Sequence, residues 1–197
     1  MKKHVSKSTG VILLIALLFL LSCASTDQKQ TELRDDLDYN KLGIAYAKKG
    51  QYDRAISIFS KALEMNPRDI RAYRNRGHAY AEKGQYDQAI SDYTKALEMN
   101  PRDARAYNSL GWIFAAAREP LFRNGKKAVE LSLKACELSD WKNGEYLDTL
   151  AAAYARMGAI ENAVEWQEKA LGSVELDKAI EAQQRLRMYQ DRKPWPD

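Results

Sequence analysis

Along most of this chain, apolar and small residues recur three and four positions apart, with polar and charged residues between them. That spacing places one stripe on one face of an α-helix and predicts a succession of amphipathic helices. Gly50 and Gly84 split the pattern into paired segments. Each pair ends in the same tetrapeptide, Asn66-Pro67-Arg68-Asp69 and then Asn100-Pro101-Arg102-Asp103. Proline lacks the amide hydrogen that the preceding helix would need, and aspartate can cap the helix that follows. The predicted unit is therefore a helical hairpin, and the predicted fold class is all-α.

The hairpin repeats. Ala45 to Tyr73 superposes on Ala79 to Tyr107 without a gap, and of the 29 aligned pairs only six differ: Lys48/Glu82, Arg54/Gln88, Ile58/Asp92, Phe59/Tyr93, Ser60/Thr94 and Ile70/Ala104. A fixed period of 34 residues is the mark of a stacked solenoid. The residues themselves resemble the tetratricopeptide repeat. Repeat one supplies Tyr39, Leu42, Gly43, Tyr46, Ala55, Phe59, Ala62 and Pro67. Repeat two supplies Tyr73, Gly77, Tyr80, Ala89, Tyr93, Ala96 and Pro101, with Arg76 where the family has leucine. Repeat three opens with Tyr107, Leu110, Gly111 and Phe114, is lengthened by about five residues between Ala115 and Lys127, and resumes at Ala128 and Ala135. Repeat four carries Leu147, Leu150, Ala151, Tyr154, Gly158, Ala163 and Ala170. The expectation is four hairpins at about 36–69, 70–103, 104–143 and 144–175. A capping helix follows at about 177–190, making a repeat domain of 36–191 with a short tail at 192–197. A cap is needed because the last hairpin of a solenoid leaves an apolar face open.

The first 22 residues follow a different pattern. Lys2, Lys3 and Lys7 precede an unbroken apolar run of 11 residues, Val11 to Leu21. Crossing a bilayer takes about 20 apolar residues, so the run reads as a secretory signal rather than a resident span. Its end, Leu20-Leu21-Ser22-Cys23, resembles the lipobox of bacterial lipoproteins. The resemblance implies that residues 1–22 are removed and that Cys23 becomes an acylated amino terminus. It also implies an envelope location, with Ala24 rather than aspartate after the cysteine favouring the outer membrane, facing the periplasm. Residues 23–35 read as a polar, flexible tether.

Charge then loses its first meaning. The formal net charge of +4 falls to 28 basic against 27 acidic residues once the signal is removed. No concentrated basic face for nucleic acid is expected. The two cysteines, Cys23 and Cys136, sit in contexts that argue against a disulfide, and Cys136 reads as a buried filler. No phosphate-binding glycine loop, activated nucleophile or metal-spaced cluster stands out, so neither cofactor nor metal is expected and catalysis is the losing hypothesis.

Tetratricopeptide arrays bind proteins along a concave groove lined by the first helix of each repeat. The resemblance assigns that groove Asn40, Arg71, Arg74, Asn75, His78, Arg105, Asn108 and Trp112. Arginine forks suit carboxylates, amides suit peptide backbone, and tryptophan suits an apolar anchor. The implied partner is a protein or peptide with an acidic segment. Asn75 and Arg105 match two positions of the family's chaperone-binding carboxylate clamp, but Asn40, Ile44 and Ser109 do not, and that assignment is rejected. His78, the one histidine beyond the signal, reads as a hydrogen-bonding contact rather than a metal ligand. The expected function is an anchored scaffold or adaptor in the cell envelope, with a pilotin-like assembly factor as its most concrete form. A carbohydrate binder or enzyme using the insertion in repeat three is the alternative from another class.

Overall fold

The computed structural model describes residues 39–173 and 176–193. The signal-like segment, Cys23 and the polar stretch to residue 35 lie outside them, as do residues 194–197. The described residues are helical nearly throughout. Helix α1 occupies residues 39–48, followed by α2 (Tyr52–Met65), α3 (Ile70–Glu82), α4 (Tyr86–Met99), α5 (Ala104–Ala116), α6 (Gly125–Leu138), α7 (Gly144–Arg156), α8 (Ile160–Leu171) and α9 (Leu176–Gln190). A 3-10 turn, Pro120–Phe122, interrupts the connection from α5 to α6. The fold is an α-solenoid of stacked helical hairpins closed by the capping helix α9.

Local chemistry sets the two kinds of turn. Between α1 and α2, Gly50 takes a φ of 70° and the amide of Gln51 donates to the Tyr46 carbonyl at 3.0 Å, which closes the helix end. At the other turn, Asp69 accepts from the amides of Arg71 (2.8 Å) and Ala72 (3.3 Å), and Asp103 does the same for Arg105 and Ala106. Each such cap contributes about 1 kcal/mol. Asn143 caps α7 in the same way, replacing the aspartate and proline of the earlier turns.

Within a hairpin the helices approach through small residues. Ala55, Ala62, Ala89, Ala96, Ala128, Ala135, Ala163 and Ala170 are wholly buried. Gly43 lets the ring of Phe59 lie against its backbone, since a Cβ there would stand 2.4 Å from the ring. The same position in α4 is Tyr93, also buried. It becomes Ser132 in α6 and Gln167 in α8, both fully buried and polar. Gln167 donates to Asp148 at 2.7 Å, and Asp148 also accepts from Arg185 of α9 at 2.8 Å. The last hairpin therefore meets its cap through a buried polar network as well as through Ala151, Ala155, Ala163 and Tyr189.

Arg76, which departs from the family pattern, is matched by a second departure. It binds Asp92 of α4 through two parallel hydrogen bonds of 2.7 and 2.8 Å and reaches Ser60 of α2 at 3.0 Å. Its guanidinium also lies over the rings of Tyr73 and Tyr80. Repeat one has Leu42 and Ile58 at the corresponding positions, so an apolar pair has been exchanged for an ionic one.

Candidate peptide-binding groove

Helices α3, α5 and α7 present their inner faces to a cavity of about 580 Å³. From α3 come Arg74, Asn75 and His78; from α5 come Arg105, Asn108 and Ser109. The start of α7 contributes Gly144, Glu145 and Tyr146, and the turns beside it add Lys142, Asn143 and Ser173. Tyr93 of α4 forms part of the floor, hydrogen-bonded to Ser109, with burial pushing its phenol well above the usual range.

The eight residues expected to form one surface separate into two groups. Asn75, His78, Arg105 and Asn108 meet in the cavity. The Arg105 side chain makes no ion pair among the described residues, and only its backbone amide is engaged, by Asp103. The side-chain carbonyl oxygen of Asn108 is buried and has no hydrogen-bond partner. His78 is exposed, with Glu82 3.8 Å from its Nε2.

The other residues serve the scaffold. Asn40 is buried and donates to Asp69 at 2.6 Å; Arg74, though it borders the cavity, holds Asp103 at 2.6 Å. These two occupy equivalent positions, and each ties one hairpin to the helix cap of the next. Arg74, which the resemblance assigned to the groove, thus also has a structural duty through its ion pair with Asp103. Arg71 is exposed, lies 3.5 Å from Asp69 and does not line the cavity. Trp112 is half-buried against the cluster around Tyr86 and Phe114 and does not line the cavity.

Lys142, Asn143, Tyr146 and Ser173 were missed because they belong to turns and to a helix start, not to the inner helix positions used to trace the groove. The cavity wall joins three cationic side chains, Arg105, Lys142 and the Asp103-paired Arg74, to amides and hydroxyls, with Glu145 as the opposing charge. That combination accepts a carboxylate and an extended backbone, and lacks the apolar lining of a small-molecule pocket.

Family models for the tetratricopeptide repeat match residues 43–84, 70–103, 92–128 and 144–173. The chain belongs to the tetratricopeptide-repeat family. No curated protein matches it. Among solved structures it resembles a double mutant of MamA from Desulfovibrio magneticus RS-1, at 28% identity and a TM-score of 0.58, over 70% of this chain and 74% of that one. It shares its fold with PilF of Pseudomonas aeruginosa (21% identity, TM-score 0.68, 82% and 71% covered). It also shares it with PilW, described as a type IV pilus biogenesis factor (16%, 0.63, 79% and 78%). Tetratricopeptide arrays are protein-interaction scaffolds, typically without catalysis of their own.

Proposed function

We propose that this tetratricopeptide array is an adaptor whose groove captures an acidic, extended segment of a partner protein, and that acylated Cys23 holds it at an envelope membrane. The observation that carries the groove reading is Arg105, a cation without an acidic partner beside the unsatisfied carbonyl of Asn108. A partner carboxylate would pair with the first, and a partner backbone amide would donate to the second. Arg74 cannot serve as a clean probe because it also anchors Asp103, so the test belongs at Arg105. Arg105→Glu is expected to weaken capture of the partner about thirtyfold while helicity stays unchanged. Undiminished capture by that variant would move the binding site off the groove.

The membrane half of the proposal is supported by the basic n-region, the apolar run of 11 residues and the position of Cys23 at its end. The outer membrane, facing the periplasm, is the proposed site. A pilotin-like role, with a secretin or pilus component as the partner, is favoured by the shared fold of PilF and PilW. Loss of surface pili in a strain lacking the chain, restored by the wild type and not by Arg105→Glu, is the expected result; normal piliation would remove this version.

A further inference from the structure

The turns that join the two helices within each hairpin lie along one edge of the solenoid, and their contacts make that edge continuous. Lys83 pairs with Asp53 across the first two hairpins. Gly84 lies beside Glu119 of the insertion, and the Tyr86 hydroxyl accepts the Arg118 amide at 3.1 Å. Gly125 packs on the backbone of Met157, so close that a Cβ would stand 2.8 Å from its nitrogen.

The insertion is the most prominent part of this edge, and it is held firmly. Arg123 donates to the carbonyls of Ala117 (2.6 Å) and Arg118 (3.1 Å), Asn124 donates to Phe114, and Phe122 packs on Tyr86 at 5.2 Å between ring centroids. All this fastening presents Leu121 outward, 89% exposed. Met157, on the neighbouring turn, is 50% exposed. An apolar side chain fixed on a rigid tip has no role in packing.

Charge on the same edge is mostly positive. Lys48, Lys49, Arg118 and Lys126 are exposed and make no ion pair among the described residues, and exposed Lys127 lies over the Phe114 ring. Among the acids there, Asp53 is matched by Lys83 and Glu161 by Arg192, while Glu82, at the position equivalent to Lys48, accepts from the Tyr52 hydroxyl, which leaves Asp87 and Glu119. The opposite edge mixes its charges, Glu64 with Arg68, Glu98 with Arg102, and Asp140 with Lys142.

We infer that this edge docks on an anionic phospholipid surface, with Leu121 entering the headgroup region and the unpaired cations facing lipid phosphates. Protruding leucine between cations fits a lipid interface, where apolar burial and headgroup charge act together. The inference does not depend on the groove; the proposed Cys23 anchor would only raise the local concentration of lipid at the edge.

The test uses the full chain and vesicles of phosphatidylcholine with and without phosphatidylglycerol. Flotation with phosphatidylcholine alone reports the anchor, whereas the gain on adding phosphatidylglycerol reports the edge, so the two can fail separately. Leu121→Asp is expected to reduce the phosphatidylglycerol-dependent binding about tenfold. Arg118→Gln and Lys126→Gln are expected to reduce it about fivefold each, with strong sensitivity to salt. In a chain carrying Cys23→Ser, a polarity-sensitive fluorophore on Leu121→Cys should shift to the blue only with phosphatidylglycerol, while one on Asp140→Cys should not; buried Cys136 stays unlabelled. Binding that ignores phosphatidylglycerol or Leu121 overturns the inference. So does a blue shift that tracks protein concentration without vesicles, which would assign the edge to a second copy of the chain.

Discussion

Gly43 and Gly125 are glycines for different reasons, and their variants should report it. A methyl group on Gly43 would meet the Phe59 ring, and one on Gly125 would meet the Met157 backbone. Gly43→Ala should cost about 1–3 kcal/mol, because a ring in a filled interior must move. Gly125→Ala should also destabilise, and it should disturb the turn between α7 and α8, since backbone cannot rotate out of the way. Urea unfolding checks the energies, and hydrogen exchange around Met157 checks the turn. A second residue-scale prediction concerns alkaline pH. Burial pushes the Cys136 thiol up to about 12 and raises the phenols of Tyr93 and Tyr189 as well. These groups keep their protons in the folded state and lose them more readily once unfolded. Their contribution is present in full below about pH 9 and is lost as pH rises through the folded-state values. Stability should therefore fall above pH 9, less steeply in Cys136→Ala, and a thiol reagent at neutral pH should leave Cys136 unmodified until urea is added.

At the scale of elements, the fit of α9 to the last hairpin can be tested through the Asp148–Arg185 pair. Both side chains are largely buried, so Arg185→Met should cost about 3 kcal/mol by leaving Asp148 with an unmatched charge. Adding Asp148→Leu should recover only part of that loss, because the buried Gln167 amide then loses its acceptor, and adding Gln167→Leu as well should recover more, measured as the midpoint of thermal unfolding. The helices themselves were legible in the sequence because each element announces itself locally: small residues at helical spacing, glycine at one turn, proline and aspartate at the other. What the sequence hid were relationships between elements. Asn40 and Arg74 read as groove residues, since nothing near them names a partner. The acids they bind, Asp69 and Asp103, lie 29 residues away and meet them only once the hairpins stack. Ser132 and Gln167 were likewise hidden, because they stand where the family has a large aromatic and the spacing alone still reads as core. Length revealed that repeat three carries an insertion; its 3-10 turn and its outward leucine come from tertiary contacts with Tyr86 and Ala117.

At the scale of the molecule, the chain combines a cationic cavity, a basic edge and a proposed lipid anchor. Cys23→Ala should release the protein from membranes in fractionated cells, and unchanged retention would remove the anchor. The near identity of repeats one and two raises a separate problem for folding. With 23 of 29 aligned residues the same, helix α1 could accept α4 in place of α2, or α3 could accept α2 in place of α4. Arg76 and Asp92 make those mispairings costly. In the first, the Asp92 carboxylate would be buried opposite Leu42; in the second, Arg76 would face Ile58. Each error strands a charge, whereas the correct pairing joins two forked hydrogen bonds. The pair thus acts as a proofreader between near copies. Replacing both residues with those of repeat one, Arg76→Leu and Asp92→Ile, should leave native stability almost unchanged yet produce a slow, misfolded fraction on refolding, detectable by stopped-flow fluorescence.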